Sequence, residues 1–271
     1  MNERPIGIFD SGQGGLTVVR ELIRLLPAEH IVYFGDTGRL PYGTKNRRTI
    51  TQYATQDISF LRQHDVKMVI AACGTVSAIL PDEITKKLPV PYTGVLLPAA
   101  KRAVEQTKTG RICVLGTPAT IRSEAYTAAI SDLLPWATVL GIACPLFVPL
   151  VENGYTNPDC AITRLAAKEY LAPALRFEPD VIILGCTHFP LLAPLLRTLL
   201  PPKIQLVDPG AETARYTEEM LRQKNLKNPS TTPGIHRFYV SDDVENFTKN
   251  ARLFLGQEIV GKIQKAVVDI L

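Results

Sequence analysis

Two segments of the chain place a cysteine in the same local setting. VIAACGTVSAILP (69–81) and IILGCTHFPLLAP (182–194) each run from an apolar, strand-like stretch through Cys73 or Cys186 into the expected start of a helix. Backbone N–H groups and the helix dipole at such a start favour an anion, so both thiols are predicted to have a lowered pKa. Two thiols facing one ligand from opposite sides could remove a proton from one face of a carbon and return one to the other face, which inverts a stereocentre. This chemistry requires neither a metal nor an organic cofactor.

The two thiols need assisting groups, because a proton beside an ionised carboxylate is only weakly acidic. Asp10 ends the first predicted strand, in the turn DSGQGG, and could orient the proton of a thiol on its side. His188 lies two residues after Cys186 and could hold charge as that thiol forms. Glu152, in PLVENG, is a further acidic candidate. The other cysteines, Cys113, Cys144 and Cys160, are interpreted as ordinary packing residues.

Polar turns at the ends of the predicted strands suit the charged groups of an amino acid. DSGQGG offers Ser11 and several backbone N–H groups at a helix N-terminus, which predicts a carboxylate site. It lacks the Lys of a phosphate-binding loop and does not match the dinucleotide fingerprint. Further hydroxyls occur at equivalent strand ends, on Thr75, Thr117, Thr120 and Thr187. The segment PYG (41–43) is predicted to form a loop over the same edge.

Short apolar runs alternate along the chain with longer amphipathic segments, which predicts an α/β fold with parallel sheets. Strands are predicted at 6–9, 30–35, 68–72, 92–96, 111–116, 138–142, 181–185 and 204–207. Helices are predicted at 15–26, 48–64, 99–107, 124–134, 163–175 and 211–223. Residues 236–241 are interpreted as an edge strand and 244–271 as mostly helix.

A weak internal repeat predicts two similar halves. Residues 4–27 resemble 110–135, and this match places Ser11 opposite Thr117, while Cys73 corresponds to Cys186. We therefore expect two similar parallel-sheet α/β domains with the active site in the cleft between them. The first would comprise 1–97 plus 210–271, and the second 98–209. Ligands of such sheets bind at the carboxyl ends of the strands.

The composition excludes several classes of protein. The 271 residues are 46% apolar and 21% charged, as in a globular protein, and the net charge of +4 is too small and too scattered to predict nucleic-acid binding. No apolar run reaches the roughly 18 residues of a membrane span. The N-terminal segment enters a strand at once and leaves no room for a signal peptide, so a cytoplasmic protein is expected. Five widely spaced cysteines without a CxxC pair predict neither a disulfide framework nor a structural zinc site.

The motifs FDSGQGGLTV, YFGDTGRLPYG, AACGTVSA, LVENG and GCTHFPLL resemble those of glutamate racemases, in the cofactor-independent aspartate/glutamate racemase superfamily. The resemblance implies Cys73 and Cys186 as the two acid/base residues, assisted by Asp10, Glu152 and His188. It implies a substrate site lined by Asp10, Ser11, Pro41, Tyr42, Gly43, Gly74, Thr75, Thr117, Thr120, Thr187 and His188. It further implies D-glutamate for peptidoglycan as the product, no cofactor or metal, and a homodimer.

The chain departs from the family pattern at one position of this motif set. Gly74 stands where the family usually has Asn, which removes a side chain that would hydrogen-bond the substrate. A lost hydrogen bond to a charged group costs about 1.5–3 kcal/mol.

Three alternatives stay open at this point. The same scaffold could racemise aspartate or both amino acids. Two α/β halves around a cleft could instead form a non-catalytic amino-acid-binding protein. A thiol redox enzyme would need its two cysteines close enough to join, whereas a racemase needs them held apart by the substrate.

Overall fold

The computed structural model describes residues 2–259 and 263–268. Its strands are β1 (Ile6–Asp10), β2 (Ile31–Gly35), β3 (Met68–Ala71), β4 (Tyr92–Gly94), β5 (Arg111–Gly116), β6 (Thr138–Ala143), β7 (Val181–Leu184), β8 (Gln205–Val207), β9 (His236–Val240) and β10 (Ile263–Lys265).

Helices fill most of the intervals between these strands. They are α1 (Leu16–Leu25), α2 (Arg47–Arg62), α3 (Gly74–Ile79), α4 (Asp82–Thr85), α5 (Leu96–Gln106), α6 (Pro118–Arg122), α7 (Ala125–Leu133), α8 (Phe147–Glu152), α9 (Ala161–Phe177), α10 (Ala193–Leu199), α11 (Pro209–Gln223) and α12 (Val244–Leu255). Short 3-10 turns occur at Thr37–Arg39, Tyr42–Thr44 and Phe189–Leu192.

The strands form two sheets in which every described pair is parallel. The first sheet has the order β10-β9-β2-β1-β3-β4, and the second has the order β6-β5-β7-β8. Four strands of the first sheet, β2-β1-β3-β4, therefore repeat the order of the second. The predicted α/β class with two similar parallel sheets is confirmed.

Burial on both faces explains why the strands are continuous apolar runs. All residues of β1, β2, β3 and β7 are buried, as expected for parallel strands covered by helices on each side. The covering helices are amphipathic. For example, α1 buries Leu16, Val18, Val19 and Leu22. Because the central strands are packed along their whole length, the positions of their carboxyl ends are fixed.

One predicted strand is shorter than expected. The sequence predicts Leu96 at the end of the strand at 92–96, but β4 ends at Gly94 and Leu96 begins α5. Pro98 stands in the first turn of this helix, where a proline ring removes no helical hydrogen bond. The apolar run VLL thus leads into a helix, with Val95 and Leu96 buried and Leu97 exposed, and its length alone does not distinguish it from a strand.

The prediction for the last part of the chain is partly wrong. Strand β9 is not an edge strand, because β10 pairs with it on the outside. The helical prediction holds only for α12, which ends at Gly256 in the left-handed conformation with φ of 77°. Residues 263–265 form β10 instead, and the predicted helix at 260–262 and 269–271 lies outside the described residues.

The predicted domain boundary at 97/98 falls within the first turn of α5. This helix packs against α7 and β7, beside the second sheet, and also against α11. Helix α11, at the predicted return to the first half, packs mainly on α1. The exact division of the chain into domains stays a prediction.

Candidate active site

The carboxyl ends of both sheets open onto one cavity of about 370 Å³. The residues of the predicted site that line it are Asp10, Ser11, Pro41, Tyr42, Gly43, Cys73, Gly74, Thr75, Thr117, Glu152, Cys186, Thr187 and His188. Both thiols thus reach the same enclosed space, from turns that follow β3 and β7 by two residues. Thr120 is the one predicted site residue that does not line the cavity.

Cys73 occupies the position before α3 and is 5% exposed. Its thiol donates a hydrogen bond to Ser11 Oγ at 3.4 Å. Burial raises the pKa of Cys73 to about 12, and the negative charge of Asp10 acts in the same direction. The prediction of a lowered pKa is therefore wrong for Cys73. A six-residue helix has few aligned peptide dipoles, and burial beside a carboxylate outweighs them.

Within the DSGQGG turn, the Asp10 side chain accepts a hydrogen bond from the backbone of the turn itself. The Gly12 N–H donates to Asp10 Oδ2 at 3.0 Å, and Gly12 O accepts a hydrogen bond from Tyr33 Oη at 3.0 Å. Burial raises the pKa of Asp10, although the positive charge of His188 and the surrounding backbone N–H groups oppose the rise. The carboxylate site predicted at this turn is thus partly filled by Asp10 itself.

Cys186 belongs to a relay with His188 and Glu152. The Sγ of Cys186 lies 3.7 Å from His188 Nδ1, and His188 Nε2 lies 3.0 Å from Glu152 Oε1. Burial alone would lower the pKa of His188, but the contacts with Cys186 and Glu152 outweigh it and raise that pKa to about 10. A charged imidazolium at neutral pH stabilises negative charge on the adjacent sulfur. The structure therefore gives the two thiols opposite electrostatic neighbours, a carboxylate for one and an imidazolium for the other.

A row of three threonine hydroxyls connects the two halves beside the cavity. Thr75 Oγ1, at the start of α3, lies 3.1 Å from Thr117 Oγ1, which precedes α6. Thr117 Oγ1 in turn lies 2.9 Å from Thr120 Oγ1. Thr75 and Thr117 present hydroxyls to the cavity, and Thr120 supports Thr117 from behind.

Gly74 allows the two cysteine turns to approach each other closely. A Cβ atom at this position would lie only 2.5 Å from the carbonyl oxygen of Gly185, the residue before Cys186. That neighbour is backbone and cannot rotate away, so a larger residue would force the two turns apart. The departure from the usual Asn thus accompanies a direct backbone contact between the turns that carry the thiols.

The sequence interpretation missed several parts of the cavity wall. The missed lining residues are Leu40, Thr44, Pro118, Cys144, Pro145, Val148 and Pro149. The sequence predicts a packing role for Cys144; this residue is 0% exposed and packs in the core, and it also lines the cavity. Its position directly after β6, at the carboxyl end of the second sheet, is the signal that could have indicated this. Burial raises the pKa of Cys144, which keeps this third sulfur protonated.

The two remaining cysteines differ in burial: Cys113 is a packing residue, as expected, whereas Cys160 is only partly buried. Cys113 lies within β5 and is fully buried, and Cys160 precedes α9. Each of the five thiols is free. In the part of the chain that the structure describes, no three His, Cys, Asp or Glu side chains are grouped closely enough to hold a metal ion.

Comparison with known proteins gives one consistent result. A family model for Asp/Glu/Hydantoin racemase matches residues 6–217. The glutamate racemase of Syntrophus aciditrophicus is 46% identical over 257 residues, which cover 95% of this chain and 94% of the relative. The crystal structure of a Francisella tularensis glutamate racemase in complex with D-glutamate has a TM-score of 0.90 at 36% identity and covers 98% of both chains. A glutamate racemase isoform from Bacillus anthracis has a TM-score of 0.93 at 34% identity and covers 100% of this chain and 99% of its own.

Proposed function

Because the chain belongs to the Asp/Glu/Hydantoin racemase family, we propose that it interconverts L-glutamate and D-glutamate, with Cys73 and Cys186 as the two acid/base groups. The observation that carries the proposal is the convergence of two thiols from equivalent turns on one cavity of about 370 Å³. Nearly full-length relatives that are glutamate racemases do not favour the aspartate, binding-protein or redox alternatives.

The proposed reaction requires the two thiols to face opposite sides of the α-carbon. A thiolate at Cys186 forms an S–H bond with the α-proton as the C–H bond breaks, and the electron pair moves into the adjacent carboxylate. The Cys73 thiol then transfers its proton to the opposite face of the planar carbon and becomes the thiolate. Each turnover exchanges the protonation states of the two sulfurs. Both sulfurs must regain their starting states before the enzyme can convert a second molecule in the same direction.

The electrostatic environment indicates which state the free protein holds. Burial and the charge of Asp10 raise the pKa of Cys73 to about 12, so the proposed starting state has its proton on Cys73. This state accepts the enantiomer whose α-proton faces Cys186. By the family's geometry that enantiomer is L-glutamate, and Cys73 serves D-glutamate.

Binding of the amino acid brings a positive charge to the Cys73 side of the cavity. The α-ammonium group introduces a positive charge into a cavity that holds Asp10 and Glu152 but, among its described lining residues, no Lys or Arg. That charge offsets the carboxylate that raises the pKa of Cys73. Hydroxyls of Ser11, Thr75 and Thr117 are donors for the substrate carboxylates.

The proposed biological role is the one that the family implies. D-glutamate is a component of bacterial peptidoglycan, and the protein supplies it. The proposal includes a cytoplasmic location and a homodimer. In the described part of the chain, no helix is both long enough and apolar enough to cross a membrane. Analytical ultracentrifugation at assay concentrations tests whether the protein is a dimer.

The first experiment incubates purified protein with L-glutamate in heavy water, without added cofactor, and with L-aspartate in parallel. Proton NMR follows loss of the α-proton, and circular dichroism follows inversion. We expect inversion of glutamate, with deuterium appearing in the product before it appears in the remaining substrate. Cys113→Ser is the control for the loss of a thiol outside the site, since Cys113 lies within β5 and does not line the cavity. This variant should retain activity. Exchange with aspartate alone, or with neither amino acid, would contradict the proposal.

A further inference from the structure

A buried polar cluster lies beneath the 41–44 segment, outside the groups that handle the proton. We call it the Tyr42 cluster; it consists of Asp36, Arg39, Tyr42 and Asp57. Asp36 and Asp57 are 0% exposed, and the Arg39 side chain is 16% exposed. Two carboxyl groups thus share one guanidinium and one phenol in the interior. Two buried negative charges beside a single positive charge would be costly, so the protonation state of each carboxyl group matters.

Asp36 uses both of its oxygens as acceptors. Its Oδ2 accepts hydrogen bonds from Arg39 Nε at 2.6 Å and from the Tyr42 hydroxyl. Its Oδ1 accepts a hydrogen bond from Ser241 Oγ at 2.8 Å. Three donors around one carboxyl group are the environment of an ionised carboxylate, and the contact with Asp36 consumes the single hydrogen of the phenol.

Asp57 faces the same phenol from helix α2. Its Oδ1 accepts from Arg39 Nη2 at 2.9 Å, and its Oδ2 lies 3.1 Å from Tyr42 Oη. Because the phenol hydrogen is directed to Asp36, the second contact needs a hydrogen from Asp57. Burial raises the pKa of Asp57 well above its usual range, and the charges of Asp36 and Asp10 add to the rise, while Arg39 and the contact with Tyr42 oppose it.

We propose that Asp57 is a neutral carboxylic acid that donates a hydrogen bond to Tyr42 and thereby positions the 41–44 wall of the catalytic cavity. The hydrogen-bond sequence runs from Asp57 through Tyr42 to Asp36, and Arg39 balances the one remaining negative charge. Asp57 does not line the cavity and touches no substrate, so it is a positioning residue.

The position of this wall matters because it is tightly packed against the second half. Gly43 lies so close to Thr117 that an added Cβ would be 3.2 Å from its side chain. Tyr42 and Gly43 both line the cavity, together with Thr117. A shift of Tyr42 therefore changes the shape of the substrate site, and Tyr42 is not one of the two acid/base groups. This predicts an effect on KM that is larger than the effect on kcat.

The charged and titratable groups that face Asp57 set the direction of its pH dependence. They are Asp36 and Arg39 after β2, Tyr42 in the following turn, and Asp10 at the end of β1. Since its pKa is raised in the folded protein, the proton on Asp57 stabilises the fold fully below the ordinary Asp range, and this contribution is lost as pH rises toward the raised value. Deprotonation also breaks the bond to Tyr42, so KM should rise at alkaline pH.

The kinetic part of the test rests on the proposed racemase function and compares Asp57→Asn, Asp57→Ala and Asp36→Asn. Asn at position 57 keeps a donor toward Tyr42 without a titrating proton. We expect its KM for glutamate to stay within about twofold of wild type and to lose the alkaline rise, whereas Asp57→Ala raises KM by about tenfold or more with a smaller change in kcat. Asp36→Asn places a donor beside Arg39 and the phenol, so it should resemble Asp57→Ala.

A second measurement is independent of activity. The infrared difference spectrum between wild type and Asp57→Asn near neutral pH should show the carbonyl stretch of a protonated carboxyl group in the wild type only. Thermal unfolding of wild type should lose more stability with rising pH than that of Asp57→Asn. An absent carboxyl band, or an Asp57→Asn variant with the kinetics of Asp57→Ala, would overturn the assignment. A protein that does not racemise glutamate but shows the band would refute the proposed function alone.

Discussion

Replacing Glu152 by Gln removes a negative charge from His188 while it preserves the size of the side chain. The two side chains are joined by a contact of 3.0 Å between Nε2 and Oε1, and they are only 9% and 29% exposed. A hydrogen bond to a charged group contributes about 1.5–3 kcal/mol, which corresponds to a fall of about 1–2 pH units in the pKa of His188. The variant should therefore hold its imidazolium over a narrower range of pH.

The sign of the effect follows from the raised pKa of His188. In the wild type this pKa is about 10, so the imidazolium is present at neutral pH and is lost only as the pH passes about 10. Its contribution to stability is fully present below the ordinary His pKa of about 6.5 and is lost through the same alkaline range. In Glu152→Gln, the alkaline limb of kcat/KM should move down by about 1–2 pH units, so the deficit grows above about pH 8.

Circular dichroism gives kcat/KM in both directions across this range. Because the two enantiomers have equal free energies, kcat/KM must be the same from L-glutamate and D-glutamate in every variant, which provides an internal check. Glu169→Gln, an equal charge change at an exposed position of α9, is the matched control. An alkaline limb that is unchanged in Glu152→Gln would refute the claim that this carboxylate holds the proton on His188.

Two further variants test the geometry of the thiols. We expect Cys73→Ser to exchange only the α-proton of L-glutamate and Cys186→Ser only that of D-glutamate, as measured by NMR in heavy water; the reversed pattern would contradict the assignment. Gly74→Ala places a methyl group 2.5 Å from the carbonyl oxygen of Gly185 and should lower the free energy of unfolding by about 1–3 kcal/mol in urea titrations. Gly210→Ala, whose nearest new contact is 3.2 Å, is the control, and an equal loss in both variants would argue against this contact.

The sequence allowed the site to be predicted because parallel strands simplify the problem. Buried strands appear as continuous apolar runs, and their carboxyl ends converge on one edge. Locating Cys73 and Cys186 after two such runs was therefore sufficient to expect them in one cavity. The internal repeat added the expectation of two similar halves, and β1 and β5 do occupy equivalent places in the two sheets.

The features that could not be predicted depend on contacts between distant parts of the chain. The short strand β10 is apparent only through its pairing with β9, since IQK has no strand pattern of its own. The raised pKa of Asp57 depends on its burial and on Asp36, which lies on a different element and 21 positions earlier in the chain. Local pattern contains neither kind of information, because burial and charge proximity are properties of the assembled fold.

The raised pKa of Cys73 shows most clearly how similar motifs acquire different chemistry. Both thiols follow a parallel strand, yet one faces Asp10 and the other faces the imidazolium of His188. We therefore expect the free protein to favour the state with the proton on Cys73, which would accept the enantiomer facing Cys186. The opposite enantiomer must wait for the less stable state. Since kcat/KM is equal in both directions, a slow exchange between the two states would lower kcat and KM together for the enantiomer served by Cys73, and this paired reduction would be the kinetic sign of the asymmetry.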